Sequence, residues 1–152
     1  MSEKGVAYRK FDSEVAVRPD DIDMNNHVHT SRYLDYVLYA RLDQMNRCYG
    51  MPMEKFSENG WGWYVKSCQI EFRRQILMGE NVIVRTWLDS FERSDALVRF
   101  QIFRKATMKI AAEGSIVNTM ISTSSGRAIP IPAWVITQYT QFREQESPGG
   151  NE

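Results

Sequence analysis

The spacing of apolar and polar positions changes period twice along the chain. Phe11 to Val17 alternates, with Val15 and Val17 on one face, and predicts a first strand. Pro19 stops it, having no amide to give to a sheet. A polar loop follows, Asp20 to His29. Thr30 to Tyr49 then runs without Gly or Pro until Gly50, and predicts a long helix. Thr30 or Ser31 can cap its first amides, and Gly50 and Pro52 end it. From Tyr33 to Leu42 this helix is apolar nearly all round, interrupted only by Asp35 and Arg41. A surface helix carries one apolar stripe, so this one is expected to be wrapped by other structure.

After Gly60 the period returns to that of strands. Trp61 to Phe72, Glu80 to Phe91, Ala96 to Arg104 and Lys109 to Ser122 are predicted as four, the second entered by the turn Met78-Gly79-Glu80-Asn81. The third alternates cleanly, Val98, Phe100 and Ile102 facing one way. Short connections predict an antiparallel meander. Ser124-Ser125-Gly126 is a turn, Ile129-Pro130-Ile131-Pro132 is extended, and Ala133 to Phe142 is a last short helix started near Pro132. A lone helix cannot bury itself, and an antiparallel sheet has one apolar face to cover. An α+β fold, with a curved antiparallel sheet around a long central helix, satisfies both.

Composition narrows the picture further. The 152 residues suit one domain, read as residues 1–142, and 43% are hydrophobic. The polar, Pro/Gly-bearing segment 143–152 reads as a disordered tail. Lys+Arg and Asp+Glu are equal at 19 each, so the molecule as a whole offers no attraction for nucleic acid or an acidic membrane. Cys48 and Cys68 make neither a disulfide framework nor a metal spacing, and read as buried thiols in a reducing compartment. Met1 to Lys10 has no apolar stretch of the signal-peptide kind, and no window is long and apolar enough to span a bilayer, which points to the cytoplasm.

The loop before the helix reads Arg18-Pro19-Asp20-Asp21-Ile22-Asp23-Met24-Asn25-Asn26-His27-Val28-His29-Thr30-Ser31-Arg32-Tyr33. It resembles the signature loop of the hotdog-fold thioesterases, especially the 4-hydroxybenzoyl-CoA thioesterase-like group and the acyl-ACP thioesterases. Asp23, Asn25, His27, Val28 and Tyr33 fall on matching positions. Gln69-Ile70-Glu71-Phe72-Arg73-Arg74, with Gly79-Glu80 after it, resembles the family's next strand and turn, and Ile129 to Pro132 its final Pro-containing segment. The resemblance covers about Phe11 to Phe142. The chain departs from the pattern at Asn26, where the CoA thioesterases have Gly, and at His29-Thr30, where they have paired Asn. Gln75-Ile76 stand where plant-type acyl-ACP thioesterases carry a Cys, so a Cys/His/Asn mechanism has no support.

The resemblance implies a hotdog fold and an enzyme hydrolysing an acyl thioester of coenzyme A or acyl carrier protein. It also implies a homodimer, or a homotetramer made as a dimer of dimers, with the acyl group entering between protomers. Such chemistry needs a nucleophile or base at the acyl carbon and donors for the oxyanion. Asp23 is the expected catalytic carboxylate, attacking directly or acting as base on a water. The amides of His29, Thr30 or Ser31, at the positive end of the helix, are candidates for the oxyanion, with Thr30 favoured by the family pattern. His27 would orient the thioester carbonyl or assist proton transfer. Asn25 and Asn26 would hold the loop or a carbonyl. Asp20 and Asp21 match nothing in the pattern, so Asp20→Asn and Asp21→Asn serve as controls for the same change at Asp23.

Tyr33, and Trp61 and Trp63 in the aromatic run from Gly60 to Tyr64, are candidates for lining an acyl or aryl pocket. Arg73 and Arg74 are the basic residues chosen to meet coenzyme A phosphates, ahead of Arg93, Arg104, Lys105 and Arg127. His27 and His29, two apart, with Asp23, have no further strong ligand nearby, so neither metal nor cofactor is expected. Two rival readings are disfavoured. A hotdog hydratase would carry an Asp-x-Asn-Pro-x-His-like motif, which Asp23 to Val28 lacks. A non-catalytic acyl-CoA sensor would tend to have lost the acidic residue or gained a DNA-binding extension.

Overall fold

The computed structural model describes residues 9–141. The 143–152 segment and Phe142 lie outside them. In chain order the elements are β1 (Phe11–Ala16), α1 (Thr30–Arg47), α2 (Met53–Glu58), β2 (Trp61–Phe72), β3 (Asn81–Glu92), β4 (Asp95–Arg104), β5 (Lys109–Ser122) and α3 (Ala133–Thr140), with a 3-10 turn over Pro19–Asp21. Every strand pairing is antiparallel and the sheet order is β1-β3-β4-β5-β2. Helix α1 packs on one face of this sheet, the hotdog arrangement.

The expected meander holds only for β3, β4 and β5. Strand β2 pairs with β5 instead of with its successor β3. Residues 73–80 carry the chain from the β2 edge to β3, across three interstrand spacings or about 14 Å, within reach of an extended segment of that length. On the way this crossover is tied to the loop before α1. The Val28 amide donates to the Ile76 carbonyl at 2.8 Å, and His27 bridges Leu77. Ile76 is completely buried there. The crossover is therefore what roofs the start of α1.

Helix α1 is not wrapped on all sides. Tyr33, Tyr36, Val37, Ala40, Gln44 and Met45 are buried, a stripe at helical spacing, while Tyr39 is 54% and Leu42 46% exposed. One sheet covers one face of a helix, and the apolar residues on the other flank of α1 stay uncovered in the protomer. Neither expected hydroxyl cap is made. His29 is the N-cap residue, with no side-chain hydrogen bond to the helix. Gly50 ends the helix region at φ +65°, a left-handed conformation that needs its missing Cβ. Cys68 is exposed and Cys48 half-buried, against the expectation of two buried thiols. Cys68 lies on β2, an edge strand of the sheet among the described residues.

Two apolar clusters lie along the helix-bearing face of the sheet. One gathers the first half of α1 with Val82, Val84, Phe100 and Ile102. The other joins Met45, Tyr49 and Phe56 to Leu88, Val135 and Tyr139, so α2 and α3 close the far end. Among the described residues no helix is long and apolar enough to cross a membrane.

Candidate active site

The loop from Asp21 to His29 folds as a tight hairpin at the entrance to α1. Ile22 and Val28 form an antiparallel bridge, and the Asp23 amide donates to the His27 carbonyl at 2.8 Å. The return is made by Asn26 at φ +66°. That conformation suits Gly best and Asn next, which explains why Asn26 can occupy the family's Gly position. The side chains of Asn25 and Asn26 point to solvent, and the hydrogen bonds here are made by their backbones.

Asp23 serves the hairpin with one oxygen only. Its Oδ1 accepts from the Asn25 amide at 2.8 Å and the His27 amide at 3.1 Å. Among the described residues Oδ2 has no partner. The His27 amide is the main reason the Asp23 carboxyl is held below its ordinary range. Partial desolvation opposes it, while the Asn25 amide and the nearby imidazoles add to it. Asp23 is therefore ionised at neutral pH. The His27 ring is half-buried beside it, and His29 is exposed at the helix start.

The helix amides divide. The His29 amide is taken, donating to the Asp21 carbonyl at 2.9 Å. The Thr30 and Ser31 amides have no acceptor among the described residues, as the lack of a side-chain cap allows. They carry the positive end of an 18-residue helix.

Asp21 is buried where Asp23 is half-buried. It is 1% exposed, and its Oδ2 accepts from the Tyr36 hydroxyl at 2.7 Å and the Arg18 amide at 3.0 Å. The Arg32 and Arg18 guanidiniums stand 3.5 and 3.6 Å from Oδ1. Burial alone would raise its carboxyl, but these donors and cations together hold it lowered. Burial and these contacts make Asp21 part of the framework, so of the two loop controls for Asp23 only Asp20→Asn leaves the fold's buried contacts intact.

The family profile of the thioesterase-like superfamily matches residues 17–139, most of the chain. This chain belongs to the thioesterase-like superfamily. Solved structures place the same fold widely. A hypothetical protein of Thermus thermophilus is 27% identical, covering 86% of this chain and 98% of its own, with a TM-score of 0.78. A DHNA-CoA thioesterase of Staphylococcus aureus is 20% identical over 87% and 89%, with a TM-score of 0.79. A thioesterase of Thermus thermophilus, solved with coenzyme A and Zn, is 22% identical over 92% and 97%, with a TM-score of 0.73. No curated protein sequence matches.

The remaining candidates of this thioesterase-like chain lie in different places. Tyr33 is 2% exposed, packed edge-on against Phe72 with ring centroids 5.0 Å apart. Trp61 stacks on Trp134. Trp63 meets Phe56 edge-on and lines a cavity of about 260 Å³ between α1 and the sheet, together with Leu38, Arg41, Leu42, Met45 and Asn118. Arg73 is engaged by Glu71 and Glu113, at 2.7 and 2.9 Å, and Arg74 by the Ile110 carbonyl at 2.7 Å. Both arginines remain exposed, at the start of the crossover that touches the Asp23 hairpin. Sequence reasoning did not single out the cavity's polar residues. The only signal was Leu38, Arg41, Leu42 and Met45 at helical spacing.

Proposed function

We propose that this chain hydrolyses an acyl thioester, releasing a free acid and a thiol, with Asp23 as its reactive carboxylate. The observation that carries this is the division of labour within Asp23. Oδ1 is held by two backbone amides, while Oδ2 is unpartnered among the described residues, in the hairpin that leads into the uncapped amides of α1. An ionised carboxylate fixed in this way can attack the acyl carbon. The thiolate then leaves, a mixed anhydride forms, and water cleaves it. The same oxygen could equally take a proton from a water that attacks the acyl carbon itself. In either route the Thr30 amide, at the helix end, would receive the developing oxyanion. His27 would orient the thioester carbonyl, and Arg73 and Arg74 would meet the carrier's phosphates.

Coenzyme A is favoured as the thiol over acyl carrier protein by the relative that holds coenzyme A. A second copy of the chain would complete the site. Strand β2 runs 12 residues with an open edge, and its middle residues are exposed. A dimer, or a dimer of dimers, would cover that edge and bring a second surface to the uncovered flank of α1.

The test is thiol release across a panel of acyl-CoAs and aryl-CoAs, on protein sized by light scattering. Asp23→Asn should fold and assemble as wild type and lose about two to four orders of magnitude in kcat on the best substrate. Asp20→Asn, with its carboxylate 67% exposed, serves as the loop control. Wild-type turnover by Asp23→Asn would refute the assignment. Turnover on no thioester at all would favour a non-catalytic binding role.

A further inference from the structure

We propose that Arg41 recognises a carboxylate at the far end of the acyl group, so that the preferred substrates are thioesters of acids carrying a second, terminal acid group. This rests on the thioesterase reading above and narrows it to a substrate class.

The cavity beside α1 is apolar apart from a few groups. Leu38, Leu42, Met45, Trp63 and Val98 supply most of its wall, and Arg41 and Asn118 the principal polar atoms. Arg41 stands on the same face of α1 as Leu38 and Met45, three residues from one and four from the other. Its guanidinium is partly buried, and its partners are neutral. One N–H donates to Thr86 Oγ1 at 3.1 Å, and the group lies 5.5 Å from the centre of the Tyr49 ring. Thr86 is itself fixed, donating its hydroxyl to Gln44 Oε1, with both side chains fully buried. A rigid neutral platform therefore presents a cation to an apolar cavity.

No carboxylate among the described residues pairs with that cation. The acid nearest along the helix, Asp43, is taken up by Arg47 at 2.8 Å and by the Ser13 hydroxyl. Nor do the neighbouring acids of other kinds supply a charge. Burial pushes the Tyr49 and Tyr139 phenols and the Cys48 thiol up, so all three are neutral at physiological pH. Cations are seldom left in apolar surroundings without an anion. A guanidinium has five donors, and Thr86 and the Tyr49 hydroxyl engage only part of them. The rest suit a carboxylate. Asn118, across the cavity on β5, has an amide to add.

The position sets the reach. From the Thr30 amide to Arg41 is about three turns of α1, or roughly 16 Å of helix rise. A thioester held at the helix start would thus extend its acyl chain along Leu34 and Leu38 before its end met Arg41.

The experiment compares each ω-carboxyacyl-CoA with the plain acyl-CoA of equal chain length, over a length series. In parallel, calorimetry measures binding of free dicarboxylic and monocarboxylic acids, which needs no turnover. Wild type should prefer the carboxylate-ended substrate in kcat/KM by about tenfold to a hundredfold at the best length, the range of one charge-assisted pair. Arg41→Gln should bring that ratio to near one. A wild-type ratio near one at every length would overturn the proposal, as would a ratio unchanged in Arg41→Gln. An equal loss on both substrates would mark Arg41 as a pin between α1 and β3, and would overturn it too. Should Arg41→Gln fail to fold, Arg41→Lys keeps the charge without the fork and should lower the ratio. Should neither fold, the wild-type ratio decides. If no thioester is cleaved, the proposed activity fails while calorimetry still reports on Arg41. There, tighter binding of dicarboxylic acids supports its role and equal binding ends it.

Discussion

Replacing Asp21 by Asn removes one buried charge and changes almost no volume, so its effect can be worked out from the contacts. The carboxylate accepts from the Tyr36 hydroxyl and the Arg18 amide, and faces two guanidiniums. Asn offers one acceptor oxygen and an NH2 group that must point at a donor. At least one charge-assisted bond is lost, worth about 1.5–3 kcal/mol, and a buried donor is left facing a donor. The expected destabilisation is about 2–4 kcal/mol. For a domain of this size each kcal/mol moves the melting temperature by about 2–4 °C, so a fall of about 4–16 °C is expected. Urea unfolding should show a lower midpoint with an unchanged slope. The sign with pH follows from the lowered carboxyl. Its stabilisation is present above the unfolded value, 3.8, and is lost as pH falls through the still lower folded value. The gap between wild type and Asp21→Asn should therefore close only in strong acid. An unchanged midpoint at pH 7 would refute the reasoning, as would a gap that closes near pH 6.

Three further outcomes follow from single positions. Asn26→Gly should leave stability and thiol release close to wild type, whereas Asn26→Ala at φ +66° should lose about 1–2 kcal/mol in denaturant unfolding. At Gly114 a Cβ would fall 1.8 Å from the Gln69 carbonyl oxygen of β2. Gly114→Ala must therefore displace an edge strand, lowering the melting temperature by the equivalent of about 3 kcal/mol or more. If ionised Asp23 is the reacting group, kcat/KM should fall with acid only below 3.8, because its folded carboxyl in the free protein is lowered from that value. An acid limb centred well above 3.8 would mean that Asp23 is not the group whose ionisation limits turnover.

Element types and most of their boundaries were legible because they depend on local period. Strands β2 and β5 begin and end where the alternation does, and β3 starts one residue later than expected. Helix α2 escaped notice because six residues are too few for a helical period to show. Strand order was not legible. It depends on a crossover whose direction is set by Ile76 and Leu77 docking on the Asp23 hairpin, a contact between segments about 50 residues apart. The helix composition misled in one respect. Leu42 and Tyr39 promised a wrapped helix, yet sequence does not say whether one sheet or two surfaces cover it. The hotdog loop pattern pointed to Asp23 and His27. It could not separate Asp21 from Asp23, two residues apart, one buried and the other half-buried. Arg41 looked like a break in an apolar run, and only the fold brings it to a cavity.

The two oxygens of Asp23 determine which substitution tests its chemistry. An Asn side chain keeps a carbonyl oxygen that can accept from the Asn25 and His27 amides, so the hairpin keeps its shape. What it loses is the charge and the free carboxylate oxygen. An Ala side chain loses the acceptor as well, and two backbone amides lose their partner. Those amides are near the surface and can turn to water, so the expected penalty is the net value of two hydrogen bonds, about 1–3 kcal/mol. The hairpin is joined to α1 by the His29 amide on Asp21 and to the crossover by the Val28 amide on Ile76. Loosening it would blur the start of the helix as well. Asp23→Asn should therefore lower kcat with only a small fall in melting temperature, and Asp23→Ala should lower kcat as well with a larger fall. If the two variants were equally inactive and equally destabilised, the carboxylate would be serving the loop alone, and the reacting group would have to be sought at His27.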